Sequence, residues 1–335
     1  MNATNSIPLI DLAPLADGNL SGAAAVAPAL RAALEDVGFL IIINHGVSLD
    51  LIAQTFAQAK RFHDQDMAAK QAVLMNAHNN GYMAMARYNV RTSRVSEDAL
   101  GDMNESFFIK RERAADDPLA TRRFGGPNEW PTGLPGFREH LLAYAETVDA
   151  LGRRLLPAVA LALGLAADTF DNSFAESQFS LRLSHYPAAN PAAARGQKRT
   201  AAQYGFAPHT DANFMTFLAQ SGVPGLQIQM PHGGWTDVPF VPGSFVVNTG
   251  DMLHRWTNGR FRSTAHRVMP PQGTARYAIP YFMGPHMDTV ISCLPGCSGR
   301  DNPAQFSDIT YDDYISWWYD ENYNADNQSD LAPVA

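Results

Sequence analysis

Hydrophobic and polar positions change rhythm along this chain, and the change divides it in two. At the start, residues 7–12 (Ile-Pro-Leu-Ile-Asp-Leu) mix apolar positions and breakers, as a short opening strand does. Over 22–37, Leu30, Ala33, Leu34 and Val37 recur at i, i+3, i+4 and i+7, one face of an α-helix. Pro28 falls in its early turns, where it would bend the helix, and Gly38 follows where a helix end favours positive φ. The run Phe39-Leu40-Ile41-Ile42-Ile43 is apolar without alternation and predicts a strand covered on both faces. Ser48 offers a cap to a helix reaching roughly residue 73, carrying Leu51, Phe56, Ala59, Phe62 and His63. Residues 104–110 read as a strand. After Pro135-Gly136, the stripe Leu141, Leu142, Val148, Leu151, Leu155 and Leu156 predicts a long helix to about residue 165, with Pro157 inside it.

From Gln178 the pattern shortens. Strand-like runs fall at 179–186, 214–219, 226–230, 245–248, 264–268 and 275–282, separated by turns such as Val223-Pro224-Gly225, Pro242-Gly243 and Asn258-Gly259. That spacing predicts a sandwich or barrel of antiparallel strands, and a jelly roll is the member of that class suited to seating a metal between its sheets. Residues 311–323 predict an aromatic, acidic closing helix, and 326–335 a disordered tail. The expected class is α+β in a single domain over 1–325. Its parts are a mainly helical 1–177, a strand-rich core at 178–283 and a closing segment at 284–325. Residues 79–102, rich in Gly, Asn, Ser and Arg, read as irregular, and Arg87, Tyr88 and Arg91 there are candidates for a substrate lid.

Composition narrows the function. Of 335 residues 46% are hydrophobic, enough for a sizeable core and against a disordered chain. A net charge of −8 argues against general nucleic-acid binding, which needs a basic stripe. Cys293 and Cys297 are too few for a disulfide scaffold and lack a second pair for zinc, so they read as thiols of a reducing compartment. The first six residues are polar, with neither a basic nor an apolar leader region, and the alanine-rich 23–34 is too short to span a bilayer. The expectation is a cytoplasmic protein without a membrane partner.

The chemistry gathers around Pro208-His209-Thr210-Asp211. On a strand alternate side chains share a face, so His209 and Asp211 would reach one point. His266 lies far enough downstream for an antiparallel strand to return past them. Two neutral imidazoles and a carboxylate on one face form the facial triad of non-haem Fe(II) oxygenases, which leaves positions open for a co-substrate and O2. An isolated H-x-D triplet usually marks a surface turn. Specificity comes from the ordered series that follows: Asn248, Gly250-Asp251, Asn258-Gly259, His266-Arg267-Val268 and Arg276. Other polar residues have plainer readings. His45 and His254 serve the scaffold, Asp251 orders a turn, Arg267 forms an ion pair, and Trp317-Trp318-Tyr319 make a docking face.

With those residues in place, the chain resembles the isopenicillin-N-synthase-like branch of the Fe(II)/2-oxoglutarate-dependent oxygenases. The likeness rests on 7–12, Gly38-Phe39-Leu40 with Asn44-His45-Gly46, Pro224-Gly225-Leu226-Gln227, Asn248-Thr249-Gly250-Asp251 and 257–268, and it extends from Ile7 to at least Phe282. It implies a double-stranded β-helix core with Fe(II) held by His209, Asp211 and His266. It also implies that Arg276, ten residues past the second histidine, pairs with the distal carboxylate of 2-oxoglutarate, a task a guanidinium fork suits. Tyr186 stands where a family tyrosine shares that carboxylate. Phe214, Phe282 and Met103 take pocket positions by the same likeness. The implied reaction consumes O2 and 2-oxoglutarate, releases succinate and CO2, and hydroxylates, desaturates or cyclises a small organic molecule.

Two positions depart from the family pattern. Ala278 replaces the serine of the usual R-x-S, and Ser184 replaces an asparagine near the metal-binding end of 2-oxoglutarate. They keep open an Fe(II) oxidase that does not use 2-oxoglutarate. More distant is a metal-binding jelly roll without catalysis, which would be expected to close its coordination sphere.

Overall fold

The computed structural model describes residues 6–85, 102–188 and 203–323. The lid candidates Arg87, Tyr88 and Arg91 and the tail at 326–335 lie outside the described residues. Its helices are α1 (Leu20–Asp36), α2 (Leu49–His63), α3 (Met67–Gln71), α4 (Phe137–Leu163), α5 (Asp171–Phe174), α6 (Asp251–Trp256) and α7 (Tyr311–Tyr323). The strands of the first half are β1 (Leu9–Asp11), β2 (Phe39–Ile43), β3 (Gly81–Met83) and β4 (Glu105–Lys110). Those of the second are β5 (Gln178–Tyr186), β6 (Phe206–His209), β7 (Met215–Gln220), β8 (Leu226–Gln229), β9 (Trp235–Asp237), β10 (Phe245–Thr249), β11 (His266–Val268), β12 (Arg276–Gly284), β13 (Val290–Ile291) and β14 (Ile309–Thr310).

A large sheet runs β1-β2-β10-β7-β12-β5-β4-β3 and a small one β6-β11-β8-β9. The large sheet is buried on both faces, and its side chains sort by the strand period of two. Leu40 and Ile42 of β2, Phe245 and Val247 of β10, and Ile279, Tyr281 and Met283 of β12 enter one core with α1, α2 and α4. From the opposite face, Phe39, Ile41, Val246 and Ala278 join Phe206, Leu226, Ile228 and Val268 of the small sheet in a second core. Helices therefore brace one side of the jelly roll while the other closes over the space between the sheets. This double burial explains why the Phe39–Ile43 run shows no alternation.

The helix limits follow local chemistry. Asn19 caps α1 by accepting from Gly22 N–H at 2.8 Å, and Gly38 ends it with φ 75°, donating to Ala33 O. Both Pro28 and Pro157 lie inside continuous helices. The helix expected over 49–73 is instead two: α2 ends at His63, and Asp66 starts α3 by accepting from Ala69 N–H. Among the described residues no helix is long and apolar enough to cross a membrane.

Gly250 ties the strand core to the turn after β6. Its N–H donates to Phe214 O, and a Cβ there would fall 2.0 Å from Asn213 O, a backbone atom that has no room to yield. We predict that Gly250→Ala lowers unfolding free energy by about 1–3 kcal/mol through overpacking. Urea denaturation reads this as an earlier midpoint; an unchanged midpoint would show that the turn moves freely.

Candidate active site

β6 and β11 are neighbours in the small sheet, and the ladder sets His266 opposite His209. Their ring centroids are 4.2 Å apart. Asp211 closes the triangle, with Oδ1 3.8 Å from His209 Nε2 and 3.7 Å from His266 Nε2. Strand alternation places Asp211 on the strand beside His209, but the structure places it beyond the strand. β6 ends at His209, and Asp211 stands in the turn leading to β7. That turn is pinned by the Asp251 N–H, which donates to Asp211 O at 2.7 Å.

Hydrogen bonds behind the three residues aim them. His209 Nδ1–H meets Ala207 O at 2.8 Å and His266 Nδ1–H meets Thr264 O at 3.2 Å, so each Nε2 turns its lone pair to the centre. Asp211 Oδ2 accepts from Thr216 Oγ1 at 2.6 Å and Asn248 Nδ2 at 2.8 Å, which leaves Oδ1 for the centre. Burial, with His266 beside it, holds the His209 imidazole well below its ordinary pKa, so it is a neutral donor. Burial alone would raise Asp211; the facing imidazoles and its two hydrogen-bond donors outweigh that and keep it ionised. Two imidazole nitrogens and one carboxylate oxygen could hold a divalent metal with positions to spare.

A second grouping, His63, Glu105 and His185, has similar donors but a different balance. Glu105 Oε2 already takes Lys70 Nζ at 2.9 Å and Tyr82 Oη at 2.6 Å, and Oε1 takes His185 Nδ1 at 2.8 Å. The lysine neutralises the carboxylate, so a further cation would be repelled there. We read this grouping as the polar tie between α2, β4 and β5.

Arg276, opening β12 on the large sheet, faces the same inter-sheet space as the triad. It is 1% exposed, and among the described residues no acceptor stands in good hydrogen-bond geometry to its buried Nε, Nη1 or Nη2, with the Tyr186 side chain beside them. Burial pulls its pKa down, and Tyr186, its partner in the β12–β5 ladder, partly offsets this from a ring centroid 5.0 Å away. A buried guanidinium with no counter-charge is costly unless an anion completes it. Ser184 and Ala278, also paired across that ladder, line the same pocket with His209, Asp211 and His266. The Ser184 hydroxyl accepts from Ser106 Oγ at 3.4 Å, and Ala278 adds no polar atom.

A cleft of about 690 Å³, counting its open mouth, reaches the triad from the other side. Phe108, Phe206, Phe282, Trp318 and Tyr319 are among its walls. This corrects the docking-face expectation: Trp318 and Tyr319 of α7 line the cleft, while Trp317 is 49% exposed. Phe282 lines it as expected, but Phe214 is in the helix-side core against Phe170 and Phe174. Arg267 forms no ion pair among the described residues; it stacks 4.1 Å from the Trp235 ring and donates to Gln227. His45 and His254 bond to the carbonyls of Gly243 and Phe261 and serve the scaffold. Asp251 accepts from Thr210 Oγ1 and orders its turn. Arg182, Phe206, Thr216 and the support that Asn248 gives Asp211 emerge from the fold rather than from the sequence motifs.

Comparison with known proteins agrees with this geometry. Residues 7–133 match the profile of the non-haem dioxygenase in morphine synthesis N-terminal family, and 178–285 match that of the 2OG-Fe(II) oxygenase superfamily. The chain is 35% identical to kihadalactone A synthase of Citrus sinensis, covering 90% of this chain and 88% of that one. It is 30% identical to the 2-oxoglutarate-Fe(II) type oxidoreductase hxnY of Emericella nidulans, covering 96% and 91%. Among solved structures, a full-length Neurospora crassa protein in complex with alpha-KG and thymine superposes with a TM-score of 0.81 at 28% identity, covering 94% of this chain and 96% of that one. These likenesses favour 2-oxoglutarate over the oxidase alternative. The chain belongs to the Fe(II)- and 2-oxoglutarate-dependent oxygenases.

Proposed function

We propose that His209, Asp211 and His266 hold the Fe(II), that Arg276 with Tyr186 receives the distal carboxylate of 2-oxoglutarate, and that Ser184 borders its metal-binding end. The observation that carries this reading is the buried guanidinium of Arg276, without an ion-pair partner among the described residues, in the pocket that the triad also lines. An anion is the chemistry that pocket lacks. With Fe(II), 2-oxoglutarate and O2 bound, the site supplies oxidising power and releases succinate and CO2. The chain's own part is arrangement. Carbonyls of Ala207 and Thr264 fix both imidazoles, Thr216 and Asn248 fix the carboxylate, and the aromatic walls keep bulk water from the centre.

The substrate in this reading is a small organic molecule entering by the aromatic cleft, within a single oxygenase domain over 1–325. The compact ligand thymine in the complex of the Neurospora protein supports that size class. The acidic charge balance speaks against a nucleic-acid partner, and the free Cys293 and Cys297 suit the reducing cytoplasm.

His209→Ala or Asp211→Ala should weaken Fe(II) binding by about a hundredfold or more and abolish succinate release, while circular dichroism stays unchanged. Near-normal turnover with added iron would remove these residues from the ligand set. Ala278→Ser restores a hydroxyl to the co-substrate pocket. It should tighten 2-oxoglutarate binding about tenfold, since a hydrogen bond to a charged group is worth about 1.5–3 kcal/mol. An unchanged or weaker dissociation constant would mean that another group already makes that contact.

A further inference from the structure

Even-numbered residues of β5 face the space between the sheets, so this strand lines two cavities in turn. Gln178, Ser180 and Arg182 border the aromatic cleft, and Arg182, Ser184 and Tyr186 border the pocket of Arg276. Arg182 stands at the junction. It is 4% exposed, and its guanidinium carbon lies 5.1 Å from the Phe108 ring centroid and 4.9 Å from that of Phe206. Two aromatic rings thus hold a cation in place. Nε donates to Ser106 Oγ at 2.7 Å and Nη2 to Asn104 Oδ1, both neutral acceptors.

Among the described residues Arg182 forms no ion pair. Asp102 feels its charge, but burial drives that carboxyl up to about 7, and Oδ1 is already taken by the Ala207 N–H at 2.7 Å. The side-chain amines and amides of three other cleft residues are committed elsewhere. Lys110 Nζ donates to His78 O, Asn79 O and Asn80 Oδ1, Gln178 Nε2 to Phe124 O, and Asn213 Nδ2 to Met215 O. Beside the hydroxyls of Ser180, Tyr311 and Tyr319, the cleft offers an incoming molecule an aromatic enclosure with Arg182 as its positive edge, next to the triad.

We propose that Arg182 is the specificity-determining residue, and that the substrate is a compact aromatic ring compound whose carboxylate or carbonyl oxygen accepts a hydrogen bond from it. The ring lies among Phe108, Phe206, Phe282 and Trp318, where flat faces meet it on several sides. The inference rests on the oxygenase reading, because the oxidisable carbon is the one that this anchor turns toward His209 and Asp211. A cationic amine of the same shape is refused, since Arg182 would repel it in a site shielded from water.

The test uses the full chain loaded with Fe(II) and 2-oxoglutarate without O2, and reads the tryptophan fluorescence to which Trp318 contributes. Phenylacetate, phenylacetamide and phenethylamine are titrated in turn, with 2-naphthoate and 2-naphthylmethylamine as the larger pair. The acids or the amide should quench saturably and bind at least about tenfold tighter than the matching amines. Binding by the amide as well as the acid identifies a carbonyl as sufficient; binding by the acid alone requires the charge. Arg182→Gln and Arg182→Lys should weaken the preferred ligand about tenfold or more, while the dissociation constant of 2-oxoglutarate changes less than about threefold. Acids, amide and amines binding alike, or none binding, would overturn the proposal, and the unaltered protein gives that answer even if both variants misfold. Variants that weaken 2-oxoglutarate as much as the ring ligand would also overturn it, by assigning Arg182 to the co-substrate. Failure of 2-oxoglutarate to bind the unaltered protein would instead remove the oxygenase reading itself.

Discussion

A charge buried between two sheets has to be matched, and the interior of this protein is arranged around that requirement. Arg276 is a buried cation with no ion-pair partner among the described residues, and Asp211 is an ionised carboxylate whose inner oxygen faces the imidazoles of His209 and His266. Neither is complete as it stands. A divalent metal at the triad and a doubly charged dicarboxylate reaching to Arg276 would offset each other and match these two side-chain charges in a region of low dielectric. The same requirement explains the supports. Each histidine surrenders one nitrogen to a backbone carbonyl, and the carboxylate surrenders one oxygen to Thr216 and Asn248, so that only the inward atoms stay unspent.

The fold supplies the geometry by burying strands on both faces. β5 and β12 turn one set of side chains to α2 and α4 and the alternate set to the inter-sheet space. Apolar packing with the helices holds the strands rigid, and the ladder then fixes Arg276 opposite Tyr186 and Ala278 opposite Ser184. His209 and His266 come from adjacent strands of the facing sheet. The polar tie of Lys70, Glu105 and His185 sits on the helix side of the same strand that carries Arg182, Ser184 and Tyr186 inward. Positioning and stability thus draw on the same residues.

Much of this was legible in the sequence because it depends on local periodicity. The limits of α7, the capped start of α2, the end of α1 at Gly38 and the strand-rich second half followed from spacing and turn residues. The triad was legible as residue types, but its geometry was not, since a pleat argument has no means of seeing that β6 stops at His209 and that a turn pinned by Asp251 aims Asp211. Arg182 carried a usable signal: it shares the period of two with Ser184 and Tyr186, and applying that period would have set it on the same face. The place of Trp318 and Tyr319 in the cleft wall depends on where α7 docks, a contact far from both in sequence that no local pattern encodes.

Anaerobic titration of the Fe(II)-loaded protein with 2-oxoglutarate tests the central claim most directly, by following the visible metal-to-ligand charge-transfer absorption of the chelate. The account predicts a saturable band that Arg276→Leu shifts to much higher 2-oxoglutarate concentrations. Iron bound with no band at any concentration would contradict it, and would leave the buried charge of Arg276 to be matched by some other anion.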